Sequence, residues 1–306
     1  MSGLRCRAAR APGRLGGVAL VLGGALSAQF GSALAALLFP HTGVAGAITL
    51  RLTIGALLML AVCRPRLRGY GRGDWAAVVA FGLALAGMNS LFYQAIERIP
   101  LGPAVTLEVL GPLALSVVGA RRVAAWCWAG LALAGVALLG QGGFDRLDPA
   151  GVALALAAGT MWAAYIVCSA RVGARFPRVD GLALALAVAA LVTLPIGLVD
   201  GGSRLAHPAV LGVGAGLALL ASMLPYSLEL AALRRLPTAT FAVLMSLGPA
   251  IAALAGWLVL DQTLHPVEVL GIGLVVAASA GAVRAATPPP SPAVVSAAAA
   301  APTARR

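Results

Sequence analysis

Of the chain's 306 residues, 60% are hydrophobic and only 10% are charged, against about 25% charged in an ordinary globular protein. With a mean hydropathy of +0.96 it lacks the polar surface to coat a water-soluble particle, which excludes a soluble enzyme and puts the apolar faces against lipid. The net charge of +12 does not point to nucleic acid, because aromatic residues are 5% and the basic residues sit in short clusters rather than along one amphipathic face. All the basic residues are arginine, which we read as coding bias. Cys6, Cys63, Cys127 and Cys168 lie far apart, so their spacing indicates neither a metal site nor a disulfide framework.

A membrane-spanning helix needs about 20 mostly apolar residues, and ten such runs follow one another between short Arg, Gly, Pro or Asp punctuation. They are predicted over 15–38, 42–62, 75–95, 101–119, 123–140, 149–170, 181–199, 208–231, 237–258 and 266–284. The first follows Arg5, Arg7, Arg10 and Arg14, as a signal peptide would, but it is too long for an apolar signal core and reads as an uncleaved span. The Pro/Ala-rich segment 285–306 cannot build a packed core and is expected to be a disordered cytoplasmic tail.

Basic residues in short loops stay on the cytoplasmic side. With the N-terminus inside, residues 1–14 and the turns around Arg64–Arg72, Arg121–Arg122, Arg171–Arg178 and Arg234–Arg235 are internal, as are Arg284, Arg305 and Arg306. Outer loops then hold only Arg98, Arg146 and Arg204, and Arg51 falls inside the second run. Both termini are therefore expected in the cytoplasm of a multi-pass plasma-membrane protein.

The chain also repeats itself. Ser90, Arg98, Pro100, Gly111 and Pro112 recur as Ser227, Arg235, Pro237, Gly248 and Pro249, all at one spacing of 137 residues. Two halves of five spans each, 15–140 and 149–284, must insert upside down relative to one another, because five is odd. That predicts an all-α membrane protein of ten helices in two inverted five-helix repeats, the architecture of secondary transporters that alternate access to a midplane site. Pro112 and Pro249 add helix kinks. A mid-helix proline frees the carbonyl four residues earlier, here those of Glu108 and Met245, and freed backbone must face protein or a cavity rather than lipid. The other reading is that these kinks only shape the bundle.

Ile96-Glu97-Arg98-Ile-Pro-Leu-Gly102, Leu107-Glu108-Val-Leu-Gly-Pro112 and Leu224-Pro-Tyr-Ser-Leu-Glu229 through Pro249 resemble the threonine and homoserine exporters of the EamA branch of the drug/metabolite transporter superfamily. The resemblance covers essentially all ten spans. It implies ten helices in two inverted halves and export of small amino acids against protons. Two motifs depart from it: Leu247-Gly248-Pro249 stands where the family reads Leu-Glu-Pro, and Asp261-Gln262 where it reads Gly-Glu.

Charged groups within spans are costly and need a reason. Glu108, one turn before Pro112, could bind a substrate ammonium, exchange a proton for it, or form a static ion pair with Arg51. Glu229 could capture substrate or interact at a helix end with Arg234 and Arg235. Arg51 could bind a carboxylate or satisfy a carbonyl or acid. Gln29, Asn89, Ser90, Tyr93, Trp162, Tyr165, Tyr226 and Ser246 complete a candidate pocket of amide and hydroxyl donors for a carboxylate and aromatic walls against water. Each has a bland reading as interhelical packing. Gly17, Gly24 and Gly31 form a small-residue stripe for close helix contact.

The leading expectation is thus a proton-coupled exporter whose partners are a small-molecule substrate, protons and lipid, with no nucleic acid, cofactor or metal, as a monomer or homodimer. A carrier of another metabolite or drug on the same fold is the alternative. A membrane-embedded transferase is remote, since His41, His207 and His265 lie in external loops or at span ends.

Overall fold

The computed structural model describes residues 13–120, 123–141, 148–177, 179–233, 235–236 and 238–286. Most of the proposed tail, residues 1–12 of the N-terminal segment, and Arg121, Arg122, Arg146, Arg178, Arg234 and Pro237 lie outside these. Of the described residues 89% are helical and none lies in a strand. Among them eight helices are long and apolar enough to cross a membrane.

In chain order the helical segments are α1 (Gly13–Cys63), α2 (Arg72–Arg98), α3 (Leu101–Glu108), α4 (Leu110–Ala120), α5 (Val123–Gln141), α6 (Pro149–Gly173) and α7 (Asp180–Gly201). Then follow α8 (Pro208–Ala218), a π turn (Leu219–Met223), α9 (Leu224–Leu233), α10 (Thr238–Met245), α11 (Gly248–Leu260) and α12 (Pro266–Ala286). The apolar part of α5, Trp126–Leu139, is shorter than the eight. Helix α12 ends at Ala286 and α1 begins at Gly13, one or two residues beyond the boundaries expected for the second repeat and the N-terminal segment.

The 51 residues of α1 are two arms, 13–42 and 44–63, joined at Gly43 with φ 70° and ψ 166°. The sequence suggested a break at Phe39-Pro40-His41, but helix continues through Pro40. The chain turns instead where glycine alone tolerates a positive φ. A side chain there would also collide with the carboxylate of Asp200, which accepts a hydrogen bond from Ala45 N at 3.1 Å. Thus Asp200 caps the second arm while Gly43 makes room for it.

Small residues let these helices approach closely. Gly17, Gly24 and Gly31 on the first arm meet Leu236, Leu228 and Ala221 in turn, so the glycine stripe seats this arm against the π turn and α9. The second arm packs antiparallel to α7, with Ala45 at Asp200 and Thr49 Oγ1 donating to the Thr193 carbonyl at 2.8 Å. Helices α5 and α12 are antiparallel too: Gly135 contacts Gly271, and Trp128 lies on Gly281. Helix α2 packs on α6 through Gly87 and Met161.

Large apolar side chains such as Leu57, Leu191, Val199 and Trp257 are 58 to 88% exposed. An apolar exterior of this extent suits hydrocarbon and not water. Inside, a core of Ala, Leu, Ile and Phe surrounds Tyr93, which is fully buried.

The tightest approach is that of the α4 start to α6. A Cβ on Gly159 would stand 2.5 Å from the Glu108 carbonyl oxygen, and one on Gly111 would run into the Gly159 carbonyl. Gly111→Val and Gly159→Val should therefore each destabilise the protein by about 1 to 3 kcal/mol or more through overpacking, read as a lowered melting temperature in detergent. Gly273→Ala, at a position with open space around it, should leave the melting temperature unchanged or slightly raised.

Candidate functional site

Three helices lose regularity at one level of the bundle. Between α3 and α4 the break is at Val109, whose N–H bonds to the Val105 carbonyl at 3.0 Å, and Pro112 follows one turn later. Between α10 and α11 it covers Ser246 and Leu247, ahead of Pro249. The third is the π turn before Pro225, where Leu224 N–H bonds five residues back to Leu219. By the same proline rule Pro225 frees the Ala221 carbonyl, a signal present in the sequence that we read only at Pro112 and Pro249.

Side chains take up the Ala221 carbonyl and others beside the breaks. Ser27 Oγ donates to the Leu220 carbonyl at 2.6 Å. Arg51 Nη2 donates to the Ala221 carbonyl at 2.9 Å, Nη1 to Tyr93 Oη at 2.8 Å, and Nε to Ser222 Oγ at 3.4 Å. The guanidinium carbon also stands 5.4 Å from the Tyr93 ring centre. Ser246 Oγ donates to the Val243 carbonyl at 2.6 Å, covering part of its own break.

A cavity of about 200 Å³ opens between these breaks. Gln29, Arg51, Asn89, Glu108, Trp162, Tyr165 and Glu229 line it, with Met88, Phe92, Pro225 and Met245 as apolar walls. Of the predicted pocket, then, Gln29, Asn89, Glu108, Trp162, Tyr165 and Glu229 do converge. Tyr93 is not a wall but the buried support of Arg51. Ser90 lines a separate cavity of about 390 Å³ toward the Arg98 end, with Gln94, Glu97, Thr193 and Asp200. Ser246 belongs to a third, mostly apolar cavity of about 310 Å³ toward the Arg64 end, which shares Trp162, Glu229 and Met245 with the central one. The side chain of Tyr226 lies outside the described residues.

Among the described residues neither carboxylate in the cavity forms an ion pair. Among the described residues the ion pairs are Arg98 with Asp148 and Arg175 with Asp74, both at the bundle ends. The static pair of Glu108 with Arg51 and the helix-end pair of Glu229 with Arg235 are not formed; Arg51 instead bonds to the π turn and Tyr93. Asn89 spends one donor on the Leu85 carbonyl at 2.8 Å. Gln29 Oε1 is buried without a hydrogen-bond partner. A Cβ at Gly248 would stand 4.0 Å from Gln29 Nε2, so the acid expected at 248 by resemblance would start beside that amide. Among the described residues no cluster of three His, Cys, Asp or Glu side chains could hold a metal.

An all-helical bundle with an apolar exterior and a hollow lined by charged side chains is the architecture of a multi-pass membrane protein. Residues 149–284 match the EamA-like transporter family. The chain is 40% identical over 267 residues to the threonine/homoserine exporter RhtA of Escherichia coli K12, covering 87% of this chain and 90% of that protein. It is 41% identical to RhtA of Salmonella typhimurium, covering 84% and 87%, and 29% identical to the uncharacterized transporter YwfM of Bacillus subtilis, covering 72% and 78%. The chain belongs to the EamA-like transporter family. A solved crystal structure covering 86% of this chain and 96% of its own shares the fold, with a TM-score of 0.56 at 21% identity.

The Asp261-Gln262 departure has a structural use. Gln262 Oε1 accepts a hydrogen bond from Leu101 N at 2.9 Å, satisfying an orphan donor at the α3 start as a carboxylate would. Gln262→Ala should cost about 1 kcal/mol of stability, seen as a lower melting temperature in detergent, while Gln262→Glu should keep the wild-type value.

Proposed function

We infer that this protein exports small amino acids of the threonine and homoserine kind across the plasma membrane, by proton antiport with alternating access. The observation that carries the reading is one cavity lined by two carboxylates that form no ion pair among the described residues, in a chain 40% identical to a threonine/homoserine exporter over 90% of that exporter's length. A hollow of about 200 Å³ suits a cargo of a few carbons, since pockets for drug-sized ligands run to about 300–1,000 Å³. Glu108 and Glu229 supply negative charge for the substrate ammonium, and Gln29 and Asn89 line the hollow with amides. Trp162 and Tyr165 wall it against bulk water. Glu108 is the coupling group: it carries a proton when no substrate is bound and loses it to the ammonium's charge, so cargo and proton use the site in turn.

Ten crossings in two inverted halves underlie the cycle. Support comes from the Gly43 break, which divides the longest helix into two arms, and from α5 as a tenth, short span. In each of two corresponding pairs, the second arm of α1 with α7 and α5 with α12, the partners run antiparallel, as inverted repeats require. With the arginine-rich ends inside, the Ser90 cavity opens outward and the Ser246 cavity inward, on either side of the central site. The oligomer is a monomer or homodimer.

The apolar cavity of about 310 Å³ beside the site favours a second reading, in which the cargo is a bulkier metabolite or drug. A competition panel in proteoliposomes separates the two, because only the first gives threonine and homoserine precedence.

Cells lacking their own exporters and loaded with threonine or homoserine should lose it faster when they express this chain, and a protonophore should remove the difference. Efflux unchanged by expression rules the substrate out. In proteoliposomes Glu108→Gln should abolish substrate-linked proton movement; retained coupling would remove Glu108 from the mechanism.

A further inference from the structure

Arg51 is a charge within an apolar bundle that forms no ion pair among the described residues. A guanidinium carries five N–H donors. Three are spent, on Ser222 Oγ from Nε, on Tyr93 Oη from Nη1 and on the Ala221 carbonyl from Nη2. One donor remains on each terminal nitrogen, the pair of groups that accepts a carboxylate two-pronged. The side chain lines the same cavity as Glu108 and Glu229. Among the described residues no carboxylate lies within ion-pair distance of it. A charge held within a span is costly and is normally paired or marks a pathway, and an anion that enters the hollow is a partner its two remaining donors can take.

We propose that Arg51 is the carboxylate subsite of the transporter, binding the substrate's α-carboxylate through its two remaining N–H groups while an acid across the cavity takes the ammonium. The proposal rests on the amino-acid reading above and assigns to Arg51 the carboxylate that amide and hydroxyl donors were expected to hold. Its aim comes from the fold. Pro225 and the π turn offer the Ala221 carbonyl, and Tyr93 and Ser222 fix the rest of the guanidinium, so its plane is set before substrate arrives. Lysine cannot reproduce this, having one point of charge and no planar fork. Tyr93 and Ser222 are positioning residues, acting on substrate only through Arg51.

The test compares threonine with threoninamide, which keeps the ammonium and hydroxyl but has no carboxylate, by calorimetric binding to the full chain in nanodiscs. Wild type should bind threonine at least about 30-fold more tightly than threoninamide, as expected for a desolvated charged pair. Arg51→Gln should bring that ratio near unity while leaving threoninamide affinity close to wild type. Loss of affinity for both ligands in equal measure would make Arg51 a scaffold only and overturn the subsite. If Arg51→Gln does not fold, Tyr93→Phe keeps the charge but loosens its aim: the ratio should fall about tenfold, and an unchanged ratio overturns the proposal. A wild-type protein that binds neither compound sinks the amino-acid reading and the subsite together, whereas one that binds threonine with no preference over threoninamide sinks the subsite alone.

Discussion

The structure depends on one constraint: in hydrocarbon, every backbone N–H and C=O must find a partner inside the protein. Proline removes a donor and frees a carbonyl, and this chain places Pro112, Pro225 and Pro249 in three different helices whose irregular turns border the central hollow or the apolar cavity beside it. Lipid could not tolerate these breaks. They are tolerated because Arg51, Ser27 and Ser246 take up exposed carbonyls and because glycines at 111 and 159 let two backbones close over the Glu108 carbonyl. The same irregularity that costs helix hydrogen bonds creates the space in which polar side chains can meet.

Within that space the charges follow from reach. Arg51 bonds to the π turn and Tyr93 and forms no ion pair with Glu108 or Glu229. Two acids and one cation facing one cavity without mutual ion pairs leave electrostatic work undone in the protein alone, and a zwitterion of few carbons has the charges to complete it. The cavities toward the Arg98 and Arg64 ends flank this centre, and Glu229, Trp162 and Met245 border both the central one and that toward the Arg64 end. A motion that alternately widens one flank and shuts the other needs only the existing breaks as hinges.

Much of this was legible in the sequence, for physical reasons. Hydropathy over about 20 residues fixes helix existence in lipid, so the apolar runs and the helices agree to within a few residues at most ends. The proline rule located the breaks near 109 and 246, and the cost of intramembrane charge singled out Glu108, Glu229 and Arg51. Other features were not legible. Hydropathy does not tell Pro40 from Gly43 as the turning point; Asp200, 157 positions away in the chain, decides it by filling the place of a Cβ. Ser90 and Ser246 were grouped with the pocket because they are polar and near conspicuous motifs, but each faces a neighbouring cavity.

By itself, then, the sequence determined that the chain lives in lipid, that it is built of apolar helices, and which few charged groups it can ill afford to bury. It did so because burial of apolar surface and the satisfaction of backbone hydrogen bonds are local properties of composition, periodicity and proline position. Which charges meet was decided only by the tertiary structure. Arg51 joins Ala221, Ser222 and Tyr93 instead of Glu108, since helix packing through glycine contacts sets the distances between side chains far apart in the chain, and electrostatic attraction at a few ångströms follows those distances and not the sequence order.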